Sequence, residues 1–158
     1  MKVQFDKAQK WKQIKDKMLA EMIAPNSQHI ANIHNIVAGK IVSRTKSGVD
    51  IGGMKFKMYS PKYAKKKGYS GRDLTLTGQM LSRDSFKYQT VFQNSRVMIR
   101  IWMEGNHGKI STGTLASIHN FGEGKMPKSE FFGIDEAITK AIKELSTEKW
   151  QEIMRSIS

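Results

Sequence analysis

The sequence predicts an α+β fold: an antiparallel β-sheet built around a central hairpin, packed against N-terminal and C-terminal helices, with a long basic loop. Three observations lead there. Apolar residues recur at helical spacing near both ends of the chain. Two adjacent runs in the middle alternate apolar and polar residues with the period of a strand. Between the first helices and these runs lies a stretch punctuated by glycines and crowded with cations. At 158 residues with 39% hydrophobic content, the chain suits a single domain with its own core. That domain divides into N-terminal helices (4–43), a basic loop-rich segment (44–83), a hairpin with loops (84–134) and C-terminal helices (135–157).

Each element has its own signal. Phe5, Ala8, Trp11, Ile14, Met18, Leu19 and Met22 recur at steps of three and four, which predicts a helix over 4–23. Asp6 suits its positive end and Pro25 stops it. Asn26 or Ser27 can cap a second helix to about residue 43, with Ile30, Ile33, Val37 and Ile41 on one side. Gly39 weakens that helix without ending it. Five glycines from Gly48 to Gly71 then mark an extended segment, and Ser60-Pro61 starts one short helical turn inside it. A short helix or turn is expected over Thr75 to Ser82. Ser85 to Phe92 and Ser95 to Met103 read as strands, with Gln93-Asn94 between them. Met98 and Trp102 make the second face of this hairpin partly apolar, so that face calls for a cover. Residues 104–111 read as a loop and Thr112 to Asn120 as a helix ended by Gly122. Asp135 to Leu145 and Thr147 to Ile157 read as two successive helices.

The charge is uneven. The formal net charge is +13, from 27 Lys and Arg against 14 Asp and Glu. Lys40 to Arg72 holds ten basic residues and one acid, Asp50, a local excess of +9. Residues 130–158 hold six acids and four bases. A block of one sign attracts anions and repels itself, more than solubility requires. Within it, Tyr63-Ala64-Lys65-Lys66-Lys67-Gly68-Tyr69 interleaves aromatics with lysines, a pattern able to bind phosphates and stack on bases.

Residues for chemistry are sparse. With no Cys there is no disulfide, thiol nucleophile or Cys-based zinc site. His29, His34, His107 and His119 form no ligand spacing, and no His-Glu-x-x-His occurs. No Gly-x-Ser-x-Gly elbow or phosphate-binding Gly-x-x-x-x-Gly-Lys-Ser/Thr is present. Asp135-Glu136 reads as the negative first turn of a helix. No catalytic residue, metal or cofactor is expected. The start, Met1 to Asp6, lacks the apolar stretch of a signal peptide, and no run of about 18 apolar residues would span a membrane.

Three blocks carry a resemblance. The first is Met54-Lys55-Phe56-Lys57-Met58-Tyr59-Ser60-Pro61-Lys62-Tyr63-Ala64-Lys65-Lys66-Lys67. The second is Leu74-Thr75-Leu76-Thr77-Gly78-Gln79-Met80-Leu81. The third is Ala116-Ser117-Ile118-His119-Asn120-Phe121-Gly122, followed by Met126-Pro127-Lys128-Ser129-Glu130-Phe131-Phe132-Gly133-Ile134. In this order, over roughly residues 50–145, the blocks resemble the virion morphogenesis proteins of tailed bacteriophages, which include tail-completion and head–tail joining proteins. Ser129 stands where that family usually has Arg, and Ala116 lacks the usual preceding Tyr.

The resemblance implies a structural virion protein without catalytic activity or cofactor. It implies subunits assembled as a ring, commonly a hexamer, at the neck or tail end, joining tail to head around the DNA channel. The partners would be further copies of the chain, other neck, portal or tail-tube proteins and, non-specifically, the genomic DNA, with no membrane. The protein would be made in the host bacterial cytoplasm and reside in the virion. On this view Lys55, Lys57, Lys62, Lys65, Lys66, Lys67 and Arg72 form a patch facing DNA or a partner. Tyr59, Tyr63, Trp102, Phe131 and Phe132 are candidates for subunit interfaces, with core burial the default for the Phe131-Phe132 pair. The alternative function is a basic nucleic-acid-binding accessory protein.

Overall fold

The computed structural model describes residues 2–24, 27–68, 71, 74, 80–93, 96–124 and 126–157. It is of mixed helix and strand, as the sequence predicts, and the described residues form five helices and an antiparallel two-stranded hairpin. Helix α1 spans Lys2–Ile23 and α2 spans Gln28–Lys46. Pro25 and Asn26 lie outside the described residues. Ser27 caps α2, its Oγ accepting the Ile30 N–H at 3.3 Å.

Helix α2 is the spine of the core. Ile30, Ile33, Val37, Ala38 and Ile41 are all buried, a stripe set by helical spacing. The helix runs three residues past its predicted end. Thr45 is fully buried with its hydroxyl donating back to the Ile41 carbonyl at 2.7 Å. Arg44 is drawn into contacts with the chain near residue 133, so tertiary bonds fix a last turn that periodicity alone does not mark. Gly39 leaves room for the Arg83 guanidinium, which would sit 3.7 Å from a β-carbon there.

A short α3, Pro61–Lys67, begins at Ser60 and Pro61 as expected. Residues 75–79 of the expected short helix or turn lie outside the described residues; Met80 and Leu81 form a buried turn. A 3-10 turn, Arg83–Ser85, leads into the hairpin. Strand β1 is Phe86–Gln93 and β2 is Arg96–Met103, paired from Phe86↔Met103 to Gln93↔Arg96. Strand β1 thus runs one residue past its predicted end, and residues 94–95 lie outside the described residues. Residues 104–111, expected as loop, hold a small second hairpin of β3 (Asn106–His107) and β4 (Ile110–Ser111). Helix α4, Thr112–Phe121, follows and ends at Gly122 in the left-handed conformation.

The two predicted C-terminal helices are one, α5 at Glu136–Ile157. Ser146 and Thr147 look like a break in sequence. In the fold Thr147 stays helical, its hydroxyl donating to the Lys143 carbonyl at 2.9 Å, and the apolar stripe Ile138, Ile142, Leu145 and Ile153 continues past it. Asp135 caps the helix, accepting the Ile138 N–H at 2.8 Å. Helices α1 and α2 meet β1, and α5 packs on both helices. Lys149 of α5 reaches Glu21 of α1 at 2.8 Å, and Trp11 stacks on Trp150 at 5.8 Å. Among the described residues no helix is long and apolar enough to cross a membrane.

Candidate functional site

The basic segment is pinned before it is exposed. Val49 and Lys55 form an antiparallel bridge around a turn, and Asp50 accepts the Met54 N–H at 2.8 Å. Gly53 takes the left-handed conformation this turn needs, with φ of 83°. The Phe56 N–H donates to the Gly48 carbonyl at 2.7 Å, and its ring is buried in the core. The Ile51 N–H donates to the Glu130 carbonyl at 2.8 Å, and its side chain occupies the space where Gly133 lacks a β-carbon. With Phe56 turned inward, extended alternation turns Lys55 and Lys57 outward, and both are exposed.

Helix α3 then presents a cationic face. Lys62, Lys65 and Lys66 stand three and four residues apart, so they share one side, and all are exposed. Tyr63 and Tyr59 meet edge to face at 4.8 Å and are half-buried. None of Lys55, Lys57, Lys62, Lys65 and Lys66 forms an ion pair among the described residues. The side chain of Lys67 and all of Arg72 lie outside the described residues. Arg44, counted in the same basic block, behaves otherwise: it is ion-paired with Asp135 and donates to the carbonyls of Phe131 at 2.7 Å and Gly133 at 3.2 Å. Burial pushes the Asp135 carboxyl up. The Ile138 N–H, the Arg44 guanidinium and the charge of Lys40 outweigh it and hold the group below the usual carboxylate range.

The hairpin carries a second cationic surface that the sequence reading did not single out. One face turns Phe86, Tyr88, Ile99, Ile101 and Met103 toward the helices. The opposite face pairs Lys87 with Trp102, Gln89 with Arg100, Val91 with Met98 and Gln93 with Arg96. Lys87, Arg96 and Arg100 are exposed, and none is ion-paired among the described residues. The signal was present as period-two placement of Arg96 and Arg100, but it lies outside the Lys40–Arg72 block that dominates the charge count.

The interface candidates separate. Trp102 is 40% exposed, its indole N–H donating to Glu104 at 3.3 Å. Phe132 is half-buried and stacks on Phe86 at 6.1 Å. Phe131 is 0% exposed and belongs to the core, which corrects its assignment to a subunit interface: a ring closed in by its own chain has no surface for a neighbour. The stretch Ile118 to Gly122 is a clamp on this region. Asn120 accepts the Phe132 N–H at 2.9 Å, and the His119 carbonyl accepts the Ser129 N–H at 2.8 Å. Phe121, in the same block, is 65% exposed.

A cleft of about 570 Å³ at the base of the hairpin is lined by His34, Arg83, Asp84, Tyr88, Trp102 and Glu104 among others. His34 is held there by donating to the Phe86 carbonyl at 3.1 Å and by contact with Tyr88. Among the described residues no three His, Asp or Glu side chains gather as a metal site. No protein-family model matches this chain, and no curated protein or solved structure does.

Proposed function

We propose that the protein is a structural subunit of the neck or tail end of a tailed bacteriophage, acting as a tail-completion, tail-terminator or head–tail joining ring and not as an enzyme. The reading rests first on the three sequence blocks, and one structural observation supports it. The hairpin β1–β2 has eight residues per strand and stands as a sheet of two strands, so each strand has an edge with no strand partner among the described residues. Open edges of that length are templates for pairing with another chain. Phe92, Met98 and Trp102 add exposed apolar area on the same ribbon. A heterologous contact repeated around a closed ring would cover an edge in every copy.

Native mass at low and high concentration, in moderate salt, tests this. Six copies of the 18.0 kDa chain would weigh about 108 kDa, and a discrete species near that mass is the expected result. A chain that stays monomeric at high concentration, and also in the presence of a purified tail tube or portal, would remove the reading. The second reading, a nucleic-acid-binding accessory protein, is favoured by Lys62, Lys65 and Lys66 of α3, none of them ion-paired among the described residues. It predicts salt-steep binding by the free protein that is lost when Lys65, Lys66 and Lys67 are replaced.

A further inference from the structure

We infer that the outer face of the β1–β2 ribbon is a binding surface for duplex DNA, with Lys87, Arg96 and Arg100 on the phosphates and the ribbon lying along the major groove. The inference stands on the ribbon alone and does not depend on the virion reading.

The charge is the first ground. The outer face of the eight-residue strands carries three cations and no carboxylate, and none of the three is ion-paired among the described residues. The nearest acids in sequence, Asp84 and Glu104, line the cleft at the base of the ribbon together with Lys87, and Glu104 is engaged by the Trp102 indole, so Arg96 and Arg100 are the cations farthest from acids in sequence. The rest of the face is two glutamines and the apolar Val91, Met98 and Trp102, the last two exposed. Gln89 and Gln93 stand opposite Arg100 and Arg96, and Val91 faces Met98 between them. Unpaired cations on a face without acids favour a polyanion over an acidic and basic mosaic.

The geometry is the second ground. The major groove of B-DNA, about 12 Å wide, admits a two-stranded ribbon. This ribbon has no third strand beside it among the described residues, so nothing in its own sheet blocks entry. Arg96 and Arg100, four residues apart on one face of β2, stand about 14 Å apart, far enough to reach two separate phosphates. Two of the three cations are Arg, whose planar fork engages phosphate oxygens in pairs. The glutamine amides and guanidiniums are also the groups that meet base edges in that groove.

The test is a titration of the full chain with a labelled 20-base-pair duplex from 50 to 200 mM salt. Wild type is compared with Lys87→Gln/Arg96→Gln/Arg100→Gln and with Lys62→Gln/Lys65→Gln/Lys66→Gln. Each phosphate contact contributes about 0.9 to the slope of log affinity against log salt, so removing three lowers the slope by about 2.7. Over this fourfold salt range the loss of affinity then shrinks by about fortyfold in the ribbon variant. The α3 variant is expected to keep the wild-type slope. Arg96→Lys/Arg100→Lys keeps the charge and is expected to keep the slope, which separates lost contacts from lost fold. A wild-type chain that does not bind the duplex, an unchanged slope in the ribbon variant, or a slope lost in the α3 variant alone would each overturn the inference. So would binding to polyglutamate with none to DNA, which would give the face to an acidic protein. Displacement by a minor-groove ligand would refute the groove assigned. A monomeric native mass leaves this inference standing, and a failed titration leaves the ring reading standing.

Discussion

Replacing Arg44 by Ala is the perturbation that tests how the basic loop is held. Its guanidinium pairs with Asp135 and donates to the Phe131 and Gly133 carbonyls, so one side chain ties the end of α2 to the turn before α5. Ile51 of the basic segment packs on that same turn. The side chains are 11% and 21% exposed, so the pair is largely out of water. Removing one partner of such a pair costs about 3–5 kcal/mol, because the other charge stays buried. Two features place this case at the low end. Asp135 keeps the Ile138 N–H and some solvent, and the Arg44 Nε is already buried without a partner, a cost the substitution removes.

The expected loss is therefore about 3 kcal/mol. At about 2.1 cal/mol/K of unfolding entropy per residue, the 158-residue chain has about 0.33 kcal/mol/K, and Tm falls by about 9 °C. Asp135→Asn keeps the helix cap but leaves the buried Arg44 charge without its counter-charge, and should cost about 3 kcal/mol as well. Arg44→Lys should fall between wild type and Arg44→Ala, since one ammonium cannot serve three acceptors in the guanidinium geometry. The assay is thermal and urea unfolding of the single and double variants. The Asp135 carboxyl titrates in the folded protein below its ordinary value of 3.8. Its contribution is then complete above that value and is lost as pH falls through the folded one, so Arg44→Ala should flatten the acid limb. A loss under about 1 kcal/mol, or additive single effects, would show that the guanidinium does not couple these elements.

Gly122 has φ of 74°, and a β-carbon there would lie 2.8 Å from the Lys128 backbone nitrogen. Gly122→Ala should cost about 3 kcal/mol, from left-handed strain plus displaced backbone. Gly124, with φ of 65° and open space, is the control, and Gly124→Ala should cost about 1 kcal/mol. Equal melting temperatures for the two variants would contradict the close approach. His29 is buried with Nε2 unpartnered; desolvation, then Lys149 of α5, lower its pKa below 6.5, while Glu21 of α1 opposes. The unfolded chain takes up that proton first, so stability should fall as pH drops below 6.5, down to the folded value. His29→Leu should remove this dependence, and urea unfolding from pH 7 to pH 5 that runs parallel in the two proteins would refute the assignment.

What could be read from sequence were elements whose signal is local. The stripe of Ile30, Ile33, Val37 and Ile41, the Ser60-Pro61 start and the alternation of Phe86 to Met103 each depend on near neighbours, and each element formed. What could not be read depends on partners far along the chain. Arg44 looks like one more cation in a basic block until Asp135, 91 residues away, is placed beside it. Ser146-Thr147 looks like a break until α1 and α2 pack along α5 and make one helix the better way to bury Ile138 and Ile153. Phe131 was open to either use because sequence does not say which ring of a pair faces inward; the 0% exposure of Phe131 and the partial exposure of Phe132 decide it.

The ribbon reconciles the two surfaces that a channel-lining subunit would need. Its edges and its outer face are different chemistry on the same strands. The edges offer backbone N–H and C=O groups, which pair with another chain without regard to side chains. The outer face offers side chains, and its charged ones, Lys87, Arg96 and Arg100, are all cationic. A polyanion satisfies the face but cannot satisfy an edge, and a neighbouring strand does the reverse. A ring that paired edges would add strands beside the ribbon and close the major groove to it, while leaving the side chains of Lys87, Arg96 and Arg100 free to meet phosphate from outside the groove. If the ribbon's outer face were instead the subunit contact, like charges repeated around the ring would face one another or need acids from the neighbour. The native mass of Lys87→Gln/Arg96→Gln/Arg100→Gln distinguishes these cases. An unchanged oligomer is expected if the edges assemble, and dissociation would move the cations into the interface.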